Sequence, residues 1–406
     1  MALSRAVPSK SEGFRRFLLG SAGVLFALVL IECPALLNLY DYSEDGLLSN
    51  LRPDPELLFL HRPDSFFAGS RRGGSFANIY SIPPSDMSLY RWDVRYDHNG
   101  FRNDADLRKA DVAVTGSSFV EATTISDAQL MTTLLAQRQR VVVANLGHNA
   151  YGPQQQLIVL KRYGLPLQPR TVVWMFADFT DLRQATVFDG LTHYPRDYWH
   201  AFFQRSFTRK VFRTLRSVVL YAAEVAKGIF AKGHTPKSVS LAGVVTDSKG
   251  RRRTMYFHYA AQPLSGDDFR GLALTKKALE EAHRLCVLRG TRLLVVFVPE
   301  KFRVYHAVAQ FPQNSETRKW ILNDMPQRLG SMVASISPGI GYLDLTPMLV
   351  EAAKRGVISY YTDDSHWSPE GHQIAAEAIG QYLSETDSHS PTPDRVFESN
   401  WSGAGK

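Results

Sequence analysis

Short apolar runs separated by helical patterns constrain this chain more than any other feature. The runs are Asp111–Thr115, Val141–Leu146, Thr171–Phe176, Arg292–Val298 and Gly341–Leu345. Between and after them, helical spacing is predicted near Ser126–Arg138, Gln154–Tyr163, Thr275–Leu288, Glu316–Leu329, Pro347–Lys354 and Glu370–Tyr382. A strand that is apolar throughout must be covered on both faces, and parallel strands need helical crossovers. The pattern therefore predicts an α/β domain over 111–384, a three-layer parallel sheet flanked by helices.

The rest of the chain lacks this rhythm. Residues 41–110 read as a neck, because Pro53, Pro55, Pro63, Pro83 and Pro84 break every apolar run. An insertion at 183–265 is rich in aromatic residues and includes a basic amphipathic helix over Thr208–Ala231, with Val211, Leu215, Val218, Val219 and Ala222 on one face. Packing as a lid is the expected fate of that helix, a membrane surface the alternative. Residues 385–406 are dominated by Ser, Thr, Pro and Asp and are expected to be disordered.

At the N-terminus, Phe17–Ile31 is free of charge and an apolar tail continues to Tyr40. That length suits one membrane-spanning helix over 17–40. No small-x-small cleavage pattern follows, and the bulky anion Glu32 before Cys33 argues against lipid attachment. Arg5, Lys10, Arg15 and Arg16 precede the segment, and no basic residue follows it until Arg52. Residues 1–16 are thus expected in the cytoplasm and the bulk of the chain beyond a bacterial inner membrane, in the periplasm. Glu32 is expected at the outer interface with its carboxylate in water.

The net charge of +8 is scattered apart from Arg71-Arg72 and the run from Lys249 to Arg253, neither within a nucleic-acid motif. A nucleic-acid partner is not expected; a basic surface suits lipid headgroups or acidic glycans. The two cysteines, Cys33 and Cys286, exclude a cysteine metal site by count, and the histidines lack ligand spacing. No metal and no cofactor are expected.

Chemistry is concentrated in three loops, each just past a predicted strand, where open α/β sheets bind ligands. In Thr115-Gly116-Ser117-Ser118-Phe119, the glycine permits a tight turn and either serine stands near a helix N-terminus, as a cap or as a nucleophile. The last loop, Thr362-Asp363-Asp364-Ser365-His366-Trp367, offers what a nucleophilic serine needs: an imidazole base, and a carboxylate to hold its tautomer. Ser368-Pro369-Glu370 then opens a helix.

A Gly-x-Ser-Phe turn after the first core strand with Asp-x-x-His before the last helix resembles the SGNH (GDSL-type) hydrolase superfamily, whose fold is SGNH/flavodoxin-like. Pro299-Glu300-Lys301, Val304-Tyr305 and Asp364-Ser365-His366-Trp367 resemble the SGNH-like O-acetyltransferases of alginate biosynthesis. The resemblance implies Ser118 as nucleophile and His366 as base. It implies Asp363 as the orienting carboxylate by the hydrolase pattern, which is favoured, or Asp364 by the acetyltransferase pattern. It also implies an oxyanion site built by backbone N–H groups and an Asn.

Departures from that pattern put the oxyanion site in question. Ser117 replaces an Asp. Ala150 stands at the expected Gly of the second loop, and Phe179 and Thr180 at the Gly-Asn of the third. Ala150 and Thr180 are the residues left for the oxyanion. His148 and Asn149 are candidate substrate donors, and Trp367 a candidate platform for a sugar ring or a core residue. The expected function is a serine esterase or O-acyl(acetyl)transferase on a cell-envelope or exported polysaccharide, alongside other envelope polysaccharide proteins. A catalytically silent fold that binds glycan or scaffolds an export complex is the alternative.

Overall fold

The structure, a computed structural model, describes residues 10–37, 50–80, 82–193, 206–212, 214–216, 219 and 240–388. In chain order the strands are β1 (Leu51–Asp54), β2 (Leu58–His61), β3 (Phe66–Arg72), β4 (Leu89–Arg95), β5 (Val112–Gly116), β6 (Val143–Gly147), β7 (Thr171–Ala177), β8 (Ala242–Thr246), β9 (Arg252–Tyr256), β10 (Arg292–Val298) and β11 (Gly341–Asp344). The helices used below are α1 (Lys10–Leu36), α2 (Ala77–Tyr80), α3 (Ser118–Glu121), α4 (Met131–Gln139), α5 (Pro153–Val159), α6 (Asp178–His193), α7 (Gly266–Leu288), α8 (Lys301–Tyr305), α9 (Met325–Ile336), α10 (Thr346–Lys354) and α11 (Pro369–Ser388).

Five strands form one parallel sheet in the order β11-β10-β7-β5-β6, and they are the five apolar runs of the sequence. All seven residues of β7 are buried. Its side chains divide by parity: Val173 and Met175 pack with Leu135, Leu349 and Ile379 on one face, and Val172, Trp174 and Phe176 with Leu160, Leu279 and Leu329 on the other. Two cores follow from the two-residue period of a strand. Each fully buried Val, Leu or Phe side chain contributes roughly 1.5–3 kcal/mol of transfer free energy.

The chain runs from β5 outward to β6, then returns to the other side of β5 as β7. The direction of winding thus reverses between β5 and β7, and a crevice opens beyond the carboxyl ends of neighbouring strands at such a reversal. Ser118 follows β5 and Asp178 follows β7, so both stand at that crevice. Ser265 caps α7 by accepting the Asp268 N–H at 3.3 Å.

Several boundaries differ from the sequence expectations. The predicted helix Glu316–Leu329 is a 3-10 turn at Glu316–Lys319 and a separate helix, α9, because Pro326 sits in the first turn of α9 and Asp324 precedes it. The closing helix continues to Ser388, beyond the expected start of the tail; the remainder of 385–406 lies outside the described residues. The 41–110 stretch is more structured than a neck: β1 pairs with β2 and β3 with β4, all antiparallel.

Helix α1 includes a stretch, Phe14–Leu36, long and apolar enough to cross a membrane. Glu32 is not simply solvated: its carboxylate accepts the N–H groups of Phe207 at 3.0 Å and Thr208 at 2.7 Å, at the start of helical residues 207–212. Val211, Leu215 and Val219 of the expected amphipathic helix are exposed rather than packed as a lid; Val218 and Ala222 lie outside the described residues.

Candidate active site

Gly116 ends β5 where no side chain fits. A Cβ there would stand 2.6 Å from Val120 and 2.9 Å from the Cβ of Met175. The chain therefore turns at once into the short helix α3, whose first residue is Ser118 and whose N-cap position is Ser117. Ser117 is buried, and its hydroxyl has no hydrogen-bond partner.

From the opposite end of the domain, residues 360–367 fold back over the sheet. Tyr360 bridges to Trp367, and Tyr361 N–H donates to the His366 carbonyl at 3.1 Å. This loop brings His366 Nε2 to 2.7 Å from Ser118 Oγ. On the other side of the ring, His366 Nδ1 lies 2.6 Å from Asp364 Oδ1. Asp364 Oδ2 accepts the Ser75 N–H at 2.8 Å. Burial alone would raise the Asp364 carboxyl, but the adjacent His366 and these hydrogen bonds hold it well below the usual carboxylate range.

The favoured assignment of Asp363 to the imidazole does not match this geometry. Asp363 Oδ2 accepts the N–H groups of Gly74 at 2.8 Å and Ser88 at 3.1 Å, and Oδ1 accepts the Tyr90 hydroxyl at 2.8 Å. It fastens the loop to the β3–β4 hairpin through these three hydrogen bonds. Gly74 admits nothing larger, since a Cβ would stand 2.4 Å from the Asp363 carbonyl. The supposed neck is thus one wall of the site.

Ser118 and His366 open onto a cavity of about 150 Å³, lined also by Phe76, Phe119, Phe257, Tyr259, Asn149, Ala150 and Thr180. Ala150 has a φ of +63°, the left-handed region that suits glycine. An alanine there costs roughly 1–2 kcal/mol of backbone strain. The second loop thus keeps a glycine-like turn in spite of its side chain. Thr180 sits in the first turn of α6, beyond β7, and also faces the cavity; Phe179 contacts Tyr259.

Two of the suggested substrate contacts fall elsewhere. Trp367 is fully buried against Phe119 and His372, with ring centroids 5.0 and 5.4 Å away, so it is core and not a sugar platform. His148 is buried, stacked between Tyr151 at 4.1 Å and His61 at 4.3 Å, and does not line the cavity. Burial pushes the His148 imidazole down to about 4. Asn149 does line the cavity, while its backbone N–H donates to Glu121 Oε2.

Charged groups that were not singled out as site residues complete the wall. Lys301, the last residue of the Pro-Glu-Lys signature, is buried; its Nζ donates to the carbonyls of Tyr256 at 2.8 Å and Thr362 at 3.3 Å. Its ammonium position lies 5.0 Å from the Phe76 ring centre, and burial pushes it down to about 7 against the pull of Asp364 and Asp363. Asp178 pairs with Arg303 at 2.9 Å, and Arg303 also donates to Asn323. Burial, reinforced by Asp178, pushes the Glu300 carboxyl well above its ordinary value. The arrangement can therefore polarise a serine hydroxyl, and Glu300 stands at the same cavity.

Residues 251–406 match a family model described as the SGNH hydrolase-like domain of the acetyltransferase AlgX. The matched stretch contains Lys301, Asp364 and His366, whereas Ser118 lies outside it. Among curated proteins, the chain is similar to an alginate biosynthesis protein AlgX of Pseudomonas putida, 27% identical over 134 residues. That alignment takes in 31% of this chain, and the chain spans 27% of the length of that relative. Among solved structures, a GDSL-like lipase from Bacteroides thetaiotaomicron is 14% identical, with 68% of this chain and 88% of that one covered and a TM-score of 0.32. An acetyl xylan esterase from Butyrivibrio proteoclasticus is 9% identical, with 74% of each chain covered and a TM-score of 0.33.

Proposed function

We propose, from the match of residues 251–406 to an SGNH hydrolase-like family, that this chain is a serine-dependent O-acyl enzyme. It moves a short acyl group, acetyl above all, to or from a hydroxyl of a cell-envelope or exported polysaccharide. The observation that carries this reading is the contact chain from Asp364 through His366 to Ser118, 2.6 and 2.7 Å, opening on one cavity. Ser118 Oγ attacks the acyl carbonyl as His366 Nε2 takes its proton. Asp364 keeps Nδ1 protonated and stabilises the imidazolium. The leaving alkoxide recovers the proton from His366, and the acyl-serine is then released to water or to a sugar hydroxyl. The Ala150 N–H and the Thr180 hydroxyl are the proposed donors to the oxyanion.

A cavity near 150 Å³ is of the order that holds a benzene-sized guest, which suits a short acyl group. The match to an acetyltransferase domain supports transfer over hydrolysis. The apolar stretch of α1 supports attachment to a bacterial inner membrane, with the catalytic domain in the periplasm.

The test uses the full chain in detergent. Turnover of a chromogenic acetyl ester and labelling of the serine by a fluorophosphonate are both expected, and both should vanish in Ser118→Ala. Turnover that survives this change sinks the mechanism. A second reading, a silent glycan-binding fold, is favoured by one observation: Phe179-Thr180 replaces the Gly-Asn pair of the third loop. It predicts glycan binding without fluorophosphonate labelling.

A further inference from the structure

At the end of the nucleophile helix, and outside the set of residues that line the cavity, three side chains far apart in sequence converge. His61 comes from the end of β2, Glu121 from the end of α3, and His148 from the loop after β6. All three are buried, and one ligating atom from each lies within 4.8 Å of the others. We propose that they form a binding site for one divalent transition-metal ion of the zinc type, which braces the helix bearing Ser118 against the loop bearing Ala150.

The tautomer of His148 is the first support. Its Nδ1 lies 2.9 Å from the Asn149 carbonyl, which can only accept, so Nδ1 carries the proton and Nε2 the lone pair. That Nε2 is buried and has no hydrogen-bond partner. A ligating histidine is held in this way, its far nitrogen donating to a carbonyl and its near one bare. Leaving a buried acceptor unsatisfied costs about 1–3 kcal/mol, which a metal bond removes.

The second support is the His61–Glu121 contact. His61 Nε2 stands 2.8 Å from Glu121 Oε1 yet lacks the geometry of a hydrogen bond. Two donors at metal bond lengths of ~2.0–2.2 Å on a tetrahedral ion lie ~3.4 Å apart, so this pair need open only slightly to admit one. The contact brings an imidazole nitrogen and a carboxylate oxygen side by side, as two ligands of one ion require. Two imidazoles and a carboxylate are the donor set that zinc and its first-row neighbours accept.

The third support is the rigidity of the shell. The rings of Tyr96, His61, His148 and Tyr151 form a continuous stack with centroids 4.1, 4.3 and 4.1 Å apart. The Tyr96 hydroxyl donates to Glu121 Oε1 at 2.6 Å, and the Asn149 N–H donates to Oε2. Each oxygen keeps a further lone pair for an ion. Glu121 and Ser118 belong to the same short helix, and Asn149 precedes Ala150. An ion here would tie two walls of the cavity without touching substrate, whatever reaction the cavity performs.

The full chain, purified in detergent without a polyhistidine tag and stripped with a chelator, should bind one equivalent of Zn²⁺ by calorimetry. Co²⁺ in its place should give visible d–d absorption. Both signals should be lost in Glu121→Gln and in His148→Phe, which keeps a ring in the stack, and Zn²⁺ should raise the melting temperature of the wild type alone. Wild-type protein that binds no Zn²⁺ and gives no Co²⁺ bands overturns the site, as does binding that persists in both variants. If the variants do not fold, the wild-type Co²⁺ spectrum alone decides.

Discussion

Asp364 places its carboxylate 2.6 Å from Nδ1 of the His366 imidazole, while its neighbour Asp363 holds the hydroxyl of Tyr90 at 2.8 Å. Consecutive acidic residues thus do different work, one orienting the base and the other fastening its loop. Replacing each by its amide should separate the roles. Asp364→Asn leaves the fold intact and lowers kcat on an acetyl ester by about 10⁴-fold, because the amide favours the wrong imidazole tautomer. Asp363→Asn leaves an unsatisfied group among Tyr90, Gly74 and Ser88 and lowers stability by about 1–3 kcal/mol, with a much smaller effect on kcat. Paired kinetics and denaturant titrations check this; equal kcat losses in the two variants would contradict it.

The burial of Trp367 makes a similar distinction between packing and binding. It lies at 0% exposure between Phe119 and His372. Trp367→Ala should cost about 3–5 kcal/mol of unfolding free energy, the usual range for emptying a large core site. Trp367→Phe should retain most of the stability and leave the KM for a carbohydrate acceptor unchanged. A several-fold rise of KM in Trp367→Phe at native stability would restore the sugar-platform reading.

The parallel sheet was legible because its inner strands β5, β7 and β10 are buried on both faces and read as apolar runs, while the half-buried edge strand β11 is the weakest of the five signals. The β3–β4 hairpin was not. Phe66–Arg72 is largely exposed and carries no apolar alternation. Leu89–Arg95 does alternate, with Tyr90, Trp92 and Val94 turned inward, but it is a short run among proline-broken neighbours, and the place of both strands is set by contacts from Asp363 and Asp364 to Gly74, Ser75, Ser88 and Tyr90. Ser118 and His366 could be named because each sits on a loop with a recognisable shape. The choice between Asp363 and Asp364 depends on side-chain direction within one turn, which spacing does not encode. His61, Glu121 and His148 escaped notice for a different reason: they come from three separate elements, and no local ligand spacing announces them.

Lys301 carries a pH signature. Burial depresses its pKa from the ordinary 10.5 to about 7, so between those values the unfolded chain binds a proton that the folded chain has released. Stability therefore rises with pH across that window. Lys301→Met has no such group. The stability of the wild type relative to Lys301→Met should increase from near pH ~7 upward, by at most about 1.4 kcal/mol per pH unit. Denaturant midpoints of both proteins across this range test it, and a difference that stays flat or shrinks would refute the depressed pKa.

Asp181 supplies the opposite slope. It is fully buried in the first turn of α6; Gln156 and the Ala177 N–H donate to Oδ2, and Oδ1 has no hydrogen-bond partner. Burial raises its pKa from the ordinary 3.8 to about 7 in spite of those donors. Between the two values the folded chain keeps a proton that the unfolded chain has lost, so stability is greatest below the lower value and falls as pH rises toward the upper one. Asp181→Asn keeps the shape and cannot ionise. It should match the wild type at pH ~4 and exceed it at pH ~7.5 by a few kcal/mol, since stability falls by on the order of 1.4 kcal/mol per pH unit between the two values. The measurement is the pH dependence of the unfolding free energy of the two proteins, and a variant that is equally destabilised at both pH values would mean that the carboxylate is charged and paired in the folded state.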